Sequence, residues 1–415
     1  MSKDRFIESV INEERLQQSD ITNLLASPLG DSVQILPAML KLSSEDKELI
    51  RTGSAQRTRV LQHLWNDLVL GEMSFKNEDS FKNLSDELIE NVFRNQGKTL
   101  EHVRGIWKNR TKEDITATSG SDLVRLKDGK WYAIEDNLGN ISGRASTFPV
   151  QKKFYEVISQ EKKITNDLNR AIDTFKTEKK KVNPIVILPP NKNEFKERER
   201  YLQTICDLGL CFTEVDKINE SFEPNGLINF NLKDYPDGKK GIAKLFKDTS
   251  IPFFEAPYFK IICDKTFFPF IDDLCRFYLN EEPLIPSLPS KRWNLRTLPS
   301  ELKNKVLKLT SGHQGDGIYI FDEMSDTQVE ELRSELLNLE VLPEMLIQER
   351  VFPSVLKNLR FDPDEDFQLE IRCVNYAIGF QKIYTSENLT ARVIPLSSGD
   401  SRCHISRGAL FTPVN

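Results

Sequence analysis

Residues 119–143 have the sequence SGSDLVRLKDGKWYAIEDNLGNISG. Apolar and polar side chains alternate on both sides of Asp128-Gly129, and such a dipeptide between two alternating runs is typical of a β-hairpin. A two-residue turn there fixes which residues face each other across the two strands. The predicted pairs are Asp122 with Glu135, Val124 with Ala133, and Leu126 with Trp131.

The first of these pairs brings two carboxylates together. Opposite residues of an antiparallel pair have Cβ atoms ~5 Å apart, and like charges at that distance are destabilising unless something neutralises them. A divalent cation would do so, and Asn137 could add an amide oxygen. This donor set matches the ligands that Mg²⁺ takes in nucleotide enzymes, so it predicts a metal site at Asp122, Glu135 and Asn137. A solvent-exposed hairpin end that tolerates the repulsion is the alternative interpretation.

A second candidate site is the glycine-rich segment SGHQGDG, residues 311–317, between two predicted strands. Glycines 312, 315 and 317 let successive backbone N–H groups hold phosphate oxygens, and Lys308 just before the loop would add a positive charge. The segment is not a Walker A loop, because Gly-Lys-Ser/Thr is absent. An ordinary glycine-rich turn and a solvated strand lysine are the alternative interpretations.

The composition carries no nucleic-acid or membrane signature. The chain has 415 residues, 29% of them charged, and a formal net charge of −6, so it lacks the basic excess of proteins that bind nucleic acids or anionic lipids. Six cysteines show no metal-finger spacing. No apolar run approaches the ~18 residues of a membrane span, and the first residues lack the apolar core of a secretory signal. We therefore expect a reduced, cytoplasmic protein with no nucleic-acid or membrane partner.

Helical and strand patterns alternate along the rest of the chain. The clearest helix carries Val60, Leu61, Leu64, Trp65 and Leu68 on one face. A strand at 183–190, a helix at 193–209 and a second strand at 210–216 follow one another, which predicts a parallel sheet. Ser325 and Gln328 form a capping-box pair ahead of a further helix, and strands are predicted around 344–352 and 366–385.

Several segments resemble, in order, the motifs of the circularly permuted ATP-grasp proteins. Residues 119–143 are similar to their D-x-V-R…DG-x-W-x-V-x-E-D-N…SG signature, and GSAQRTRVLQHLWNDLVLG at 53–71 is similar to their helical Gln-Arg motif. Asp264-Lys265 resembles their Asp-Lys pair, VLKLTSGHQGDGI their phosphate-covering loop, LIQERV their adenine hinge, and LEIRCV their Asp/Glu-x-Arg strand. Several degenerate motifs in the right order are more specific than any one of them.

The resemblance implies a mixed α+β and α/β protein with a circularly permuted ATP-grasp fold, in which the usual C-terminal metal-binding segment stands at the front of the chain. The implied regions are a helical N-terminal region (1–115), the permuted metal-binding part of the ATP-grasp sheet (116–180), a small α/β pre-ATP-grasp lobe (181–290), the small ATP-grasp lobe with the phosphate loop (291–345) and the central ATP-grasp sheet (346–415).

The resemblance also implies ATP and Mg²⁺ as cofactors, with Asp122, Glu135 and Asn137 on the metal. Arg372, with Arg392 as a second candidate, would stabilise the transferred phosphoryl group or its acyl-phosphate product. The implied nucleotide contacts are the phosphate lysines Lys265 and Lys308, the covering loop Ser311, Gly312, His313, Gln314, Gly315 and Gly317, and the adenine-framing residues Gln348, Glu349 and Val351.

The implied activity is ligation of a small carboxylate, of amino-acid or peptide type, to an amine or less often a thiol. Small-molecule substrates, or a peptide or carrier protein, are the implied partners. The family's Glu-Asn-Arg after its Ser-Gly is replaced here by SGRASTFPVQ, so the substrate is not carried over. An ATP-dependent phosphotransferase and a nucleotide-binding pseudoenzyme stay open as alternatives. The retention of Asp122, Glu135, Lys265, Lys308 and Arg372 argues against the pseudoenzyme.

Overall fold

The computed structural model describes residues 8–9, 36, 40–139, 166–179, 184–188, 205, 209–214, 217–218, 221–229, 240–293, 304–310, 317–338, 344–353, 355–356, 364–398 and 409–414. The α-helices are α1 (Ser44–Trp65), α2 (Asp86–Asn95), α3 (Leu100–Trp107), α4 (Asp167–Glu178), α5 (Lys240–Lys247), α6 (Ile271–Leu279) and α7 (Asp326–Leu337). A π-helical turn, Asn66–Leu70, continues α1. The 3₁₀ turns are Ser74–Asn77, Asp79–Phe81, Lys112–Asp114, Phe259–Cys263, Lys265–Phe270, Phe321–Glu323 and Leu396–Ser398.

The strands form three sheets. In chain order they are β1 (Glu8–Ser9), β2 (Leu40–Lys41), β3 (Thr116–Arg125), β4 (Trp131–Leu138), β5 (Ile185–Leu188), β6 (Cys211–Glu214), β7 (Leu227–Asn229), β8 (Phe253–Phe254), β9 (Ser290–Trp293), β10 (Lys305–Leu309), β11 (Ile318–Ile320), β12 (Met345–Glu349), β13 (Val355–Leu356), β14 (Phe367–Ile378), β15 (Ile383–Thr385), β16 (Leu389–Pro395) and β17 (Leu410–Val414).

The large sheet has the strand order β1-β2-β17-β16-β14-β3-β4, and β13 and β15 also pair with β14. Strand β3 runs antiparallel to β14, from Leu123 opposite Ile371 to Thr116 opposite Ile378. The hairpin at 122–137 therefore belongs to the sheet that the C-terminal strands complete, as the sequence predicted.

Within the described residues, two smaller sheets are formed by the strands between β4 and β13. The first is parallel, with the order β6-β5-β7-β8, in agreement with the predicted strand–helix–strand unit. The second is antiparallel, with the order β11-β10-β12-β9. One face of it packs Leu307, Met345 and Ile347 against Leu332 of α7. On the other face, Leu346 belongs to the same hydrophobic core as residues of the large sheet.

Helix α1 is the core helix that the apolar spacing predicted. Ser43 caps its N-terminus by accepting a hydrogen bond from the backbone N–H of Asp46, over 3.0 Å. Val60, Leu61, Leu64 and Trp65 are buried, and so is Leu68 in the π-helical turn. The predicted cap of α7 is also present, because Ser325 and Gln328 exchange backbone–side-chain hydrogen bonds. The helix predicted near 193–209 lies almost wholly outside the described residues.

The turn of the β3–β4 hairpin differs from the predicted two-residue turn. Leu126 donates its backbone N–H to the carbonyl of Lys130 over 3.0 Å, so the loop has three residues, and its last, Gly129, takes the left-handed conformation at φ +81°. A three-residue loop with glycine in that conformation is the next most common hairpin connection. The predicted pairs of Leu126 with Trp131 and of Val124 with Ala133 are therefore wrong by one residue.

A β-bulge then corrects the register. The observed pairs near the turn are Arg125 with Trp131, Val124 with Tyr132 and Leu123 with Ala133, followed by Asp122 with Glu135. Ile134 is the extra residue of the bulge and has no partner in the ladder. The predicted pairing of the two carboxylates is confirmed, because the longer turn and the bulge shift the register in opposite directions.

No α-helix in the described part of the chain is both long enough and apolar enough to cross a bilayer.

Candidate functional site

The β-bulge in β4 brings the large sheet into contact with β10 of the small antiparallel sheet. The carbonyl of Ile134, which the ladder leaves unpaired, accepts a hydrogen bond from Lys308 Nζ over 3.3 Å. Directly after β10, the carbonyl of Thr310 accepts from the backbone N–H of Lys265 over 3.2 Å. The hairpin, the 264–265 segment and the start of the glycine-rich loop therefore meet at one place.

Two buried lysines and one carboxylate define the centre of this place. Lys265 and Lys308 are 7% and 6% exposed, and Lys265 Nζ lies 3.5 Å from Glu135 Oε1. Burial lowers the pKa of Lys308 to about 8, and the nearby Glu135 opposes that shift only in part. Two buried ammonium groups at one place suit an anionic ligand such as a phosphate chain.

The second carboxylate of the hairpin is held by arginines. Arg372 donates to both oxygens of Asp122, with Nε to Oδ1 at 2.5 Å and Nη2 to Oδ2 at 2.6 Å. Arg392 Nη2 lies 2.8 Å from the same Oδ2. Burial alone would raise the pKa of the Asp122 carboxyl, but the two guanidinium charges outweigh burial and hold that pKa well below its usual range.

The residues predicted to bind magnesium lie together, but their side chains are engaged differently. Asn137 Nδ2 donates to Asp122 Oδ2 over 3.3 Å, which directs the amide oxygen of Asn137 away from Asp122. Glu135 and Asn137 are two residues apart in β4, so they share one face of the sheet. Among the residues that the structure describes, no group of three or more His, Cys, Asp or Glu could hold a metal ion. Glu135 and the Asn137 oxygen fit Mg²⁺ as the two protein ligands of an ion whose other ligands are waters and phosphate oxygens.

The glycine-rich loop is described only at its two ends. Leu309 donates its backbone N–H to the carbonyl of Gly317 over 2.8 Å, which closes the base of the loop. Gly317 has φ +69°, and a Cβ there would lie 2.6 Å from Leu309 Cγ, so both its conformation and its surroundings require glycine. The predicted phosphate contacts that lie outside the described residues are Ser311, Gly312, His313, Gln314 and Gly315.

The predicted adenine position contains unsatisfied polar atoms. Gln348 is 3% exposed, and its Nε2 has no hydrogen-bond partner among the described residues. Ser290, directly opposite Gln348 in β9, has a buried hydroxyl that is unpartnered within the same described ranges. By strand alternation Gln348 shares a sheet face with Lys308. A buried donor without a partner is destabilising, so two of them beside the phosphate lysine favour a polar ligand at this position.

The two other residues predicted to frame the adenine, Glu349 and Val351, have their own contacts in the fold. The Glu349 side chain lies on the opposite sheet face from Gln348 and pairs with Lys305. Its backbone N–H donates to the carbonyl of Pro289 over 3.1 Å, so only its carbonyl is left for an adenine. Val351 is half-buried and leads into Pro353, which bridges to Leu126 of the hairpin. The segment after β12 is thereby tied to β3–β4.

One buried ion pair that supports the site was missed as a functional feature. Asp136 lies between Glu135 and Asn137 but on the other sheet face, where Arg57 of α1 donates from Nε to both its oxygens, over 2.9 and 3.2 Å. Ser121 Oγ adds a hydrogen bond of 2.6 Å to the same carboxylate. The Gln-Arg segment thus fixes the strand that presents Glu135 and Asn137. The available signal was the alternation in β4, which predicts that Asp136 points away from its two neighbours.

The acidic residue of the Asp-Lys pair, Asp264, had no predicted role in the site. Asp264 is 6% exposed, and burial raises its pKa, although the backbone N–H of Thr266 donates to its Oδ1. Its Oδ2 has no hydrogen-bond partner in the described part of the chain. Asp264 lines a small cavity together with Glu135, Asp136 and Lys265, so Lys265 has acidic side chains on this side.

The fold has a solved relative. No protein-family model and no curated protein matches the chain. Among solved structures, it is similar to that of a glutathione synthetase-like effector, GSS30, from Globodera pallida in the apo form, with a TM-score of 0.55 and 10% sequence identity over 97% of this chain and 98% of that chain. At this identity the likeness shows the fold alone, a mixed α/β fold similar to that of the effector.

Proposed function

We propose that the chain is an ATP-dependent ligase of the ATP-grasp type, with a circularly permuted order of its parts. It joins a small carboxylate of amino-acid or peptide type to an amine, or to a thiol, through an acyl phosphate. The observation that carries this proposal is the meeting of Lys308, Lys265 and Glu135, which come from three distant parts of the chain, at the base of a glycine-rich loop. The glutathione synthetase-like fold supports a ligase of this class.

The nucleotide would lie between the small antiparallel sheet and the hairpin. Lys265 and Lys308 would meet its phosphates, and the unpartnered Gln348 amide and Ser290 hydroxyl would meet its adenine. Because these groups are already buried and oriented, they need no rearrangement when charge develops on the phosphates. Glu135 and Asn137 would hold Mg²⁺, which neutralises phosphate charge when it is bound.

The reaction needs little covalent chemistry from the protein. A substrate carboxylate oxygen attacks the γ-phosphorus, the bond to the β-phosphate oxygen breaks, and ADP leaves. The amine nitrogen then attacks the acyl-phosphate carbonyl carbon, loses a proton and releases inorganic phosphate. Lys308 and the arginines Arg372 and Arg392 supply positive charge to the transferring group, and positioning with charge stabilisation is most of what phosphoryl transfer requires.

Calorimetric titration tests the nucleotide site. The full chain is titrated with ATP and with GTP, each with and without Mg²⁺. We expect ATP to bind more tightly than GTP and to depend on the metal. Equal affinities for the two nucleotides, or binding that ignores Mg²⁺, would contradict the assignment.

Product analysis tests the reaction class. Pairs of carboxylates and amines are screened for phosphate release, and the products are identified by mass spectrometry. A ligase yields ADP, phosphate and an amide, whereas a phosphotransferase yields ADP and a phosphorylated product. Binding of ATP without turnover of any pair would favour the pseudoenzyme.

A further inference from the structure

We propose that Asp122 is a positioning residue for the paired guanidinium groups of Arg372 and Arg392, and that it does not bind the magnesium ion. The inference rests on the proposed function, because the arginines matter only if an anionic group is transferred beside them. The two carboxylates of the hairpin then have different roles. Glu135 binds the cation, and Asp122 orients the two arginines.

The placement of the three residues follows from sheet register. Asp122 of β3 lies directly opposite Arg372 of β14. Strand β14 lies between β3 and β16 in the sheet. Arg392 is on β16 opposite Glu370, with which it forms a second ion pair. Both arginine side chains are 13–14% exposed, so they are partly accessible from the site.

The oxygens of Asp122 have little capacity left for a cation. Its Oδ1 accepts from Arg372 Nε, and its Oδ2 receives Arg372 Nη2, Arg392 Nη2 and Asn137 Nδ2 at 2.6, 2.8 and 3.3 Å. A carboxylate offers about four lone-pair sites, and four donors already point at this one. A magnesium ion would have to displace a guanidinium group and remain next to its positive charge.

The arginines, in turn, need this carboxylate. Two guanidinium groups held within reach of one oxygen repel each other unless an anion lies between them, and Asp122 is 4% exposed at that point. Arg392 Nη2 contacts both Asp122 and Glu370. Asp122 thereby fixes the orientation of the Arg392 guanidinium group beside Arg372.

Glu135 lies in a different environment although it is opposite Asp122 in the same ladder. Its ion-pair partner is the single ammonium group of Lys265 at 3.5 Å, which is a looser contact than either guanidinium contact of Asp122. A cation can therefore approach Glu135 without breaking a bidentate pair. The same cation can reach the Asn137 oxygen on the same strand face.

Metal binding gives the first arm of the test. Mn²⁺ is titrated into the full chain with a non-hydrolysable ATP analogue and followed by electron paramagnetic resonance. We expect Glu135→Gln to weaken Mn²⁺ binding at least ~10-fold, as loss of a metal-site residue typically does. Asp122→Asn should change it less than about threefold, like the control Asp128→Asn at the exposed hairpin turn. A loss for Asp122→Asn as large as that for Glu135→Gln would overturn the proposal.

A double-mutant cycle on the metal-free protein gives the second arm. Urea midpoints are measured for Asp122→Asn, Arg392→Gln and the double variant. If Asp122 is the counter-charge of the arginines, Arg392→Gln lowers the midpoint of wild type but lowers it less, or raises it, in the Asp122→Asn background. Asp122→Glu, which keeps the charge, should retain most of the wild-type midpoint. Additive effects of the two substitutions on the urea midpoint would overturn the proposed role of Asp122.

The two arms separate failure of the inference from failure of the function. If wild type binds neither the nucleotide analogue nor Mn²⁺, the proposed function fails. The urea cycle then still tests whether Asp122 is the counter-charge of the two arginines. If wild type binds both and the cycle is additive, the proposed function stands and the role of Asp122 is refuted.

Discussion

Replacing Lys308 with methionine removes a buried charge while keeping most of the side-chain volume. Burial lowers the pKa of Lys308 from its ordinary value of 10.5 to about 8, with partial opposition from Glu135. One pKa unit corresponds to about 1.4 kcal/mol, so burying this ammonium group destabilises the folded apo protein by ~3 kcal/mol at pH 7. The substitution also removes the hydrogen bond from Lys308 to the Ile134 carbonyl, which destabilises the variant by about 1 kcal/mol and offsets part of the gain. We expect Lys308→Met to raise the free energy of unfolding by ~2 kcal/mol.

The sign of the pH dependence follows from the same shift. Because the pKa of Lys308 is lower in the folded than in the unfolded protein, the unfolded chain binds more protons between pH 8 and 10.5, and wild-type stability rises with pH in that range. The destabilisation is complete below pH 8 and is gone above 10.5. The advantage of Lys308→Met should therefore be largest near pH 7 and vanish as the pH approaches 10.5.

Urea unfolding of the metal-free chain at pH 7 and near pH 10 measures both effects. Lys291→Met is the matched control, because Lys291 is an exposed lysine of the same sheet and should change the free energy of unfolding by less than ~0.5 kcal/mol. Calorimetry should show that Lys308→Met no longer binds ATP. The buried charge would not be the destabilising factor if the variant were less stable than wild type at pH 7. The same holds if its gain in free energy of unfolding did not decrease from pH 7 to pH 10.

Three further perturbations test the parts around the site. Gly317→Ala should destabilise by ~1–3 kcal/mol more than Gly97→Ala, since both glycines have positive φ but only a Cβ at 317 meets other atoms; thermal unfolding measures the difference. Arg57→Met leaves a buried carboxylate unpaired and should cost ~3–5 kcal/mol in urea unfolding, against less than ~1 kcal/mol for the more exposed Arg59→Met. Gln348→Leu should leave the fold intact but weaken ATP binding about tenfold and narrow the preference over GTP in calorimetry, and an unchanged preference would remove Gln348 from adenine recognition.

The hairpin shows what local sequence pattern can and cannot predict. Alternation around Asp128-Gly129 placed the two strands correctly and paired Asp122 with Glu135. It did not predict the turn length, because an Asp-Gly pair occurs in both two-residue and three-residue hairpin loops. Nor did it predict the bulge at Ile134, since the contacts of β4 at that point come from residues 286–288 and from β10, which are distant in sequence.

The candidate site shows a similar division. Residue types and their order identified Lys265, Lys308, Glu135 and the neighbourhood of Gln348, because each occurs in a recognisable local motif. The partners of Asp122 could not be found that way, since its arginines reach it through pairing between strands 250 residues apart. Strand alternation predicts that Arg372 shares a sheet face with Glu370, two residues earlier in the same strand. It does not predict which carboxylate of a neighbouring strand pairs with Arg372.

The pairing of β3 with β14 has a consequence for the synthesis of the chain. The two strands that Asp122 and Arg372 join are separated by 250 residues, so at ~5–20 residues per second the front hairpin leaves the ribosome roughly 12–50 s before its partner exists. During that interval the edge of β3 that will receive β14 is unpaired, and an open strand edge is a template for wrong pairing. Asp122 is then without Arg372 and Arg392, whereas Asp136 can already pair with Arg57, which is synthesised earlier. The uncompensated charge of Asp122 disfavours pairing of this edge with another copy until the C-terminal strands arrive.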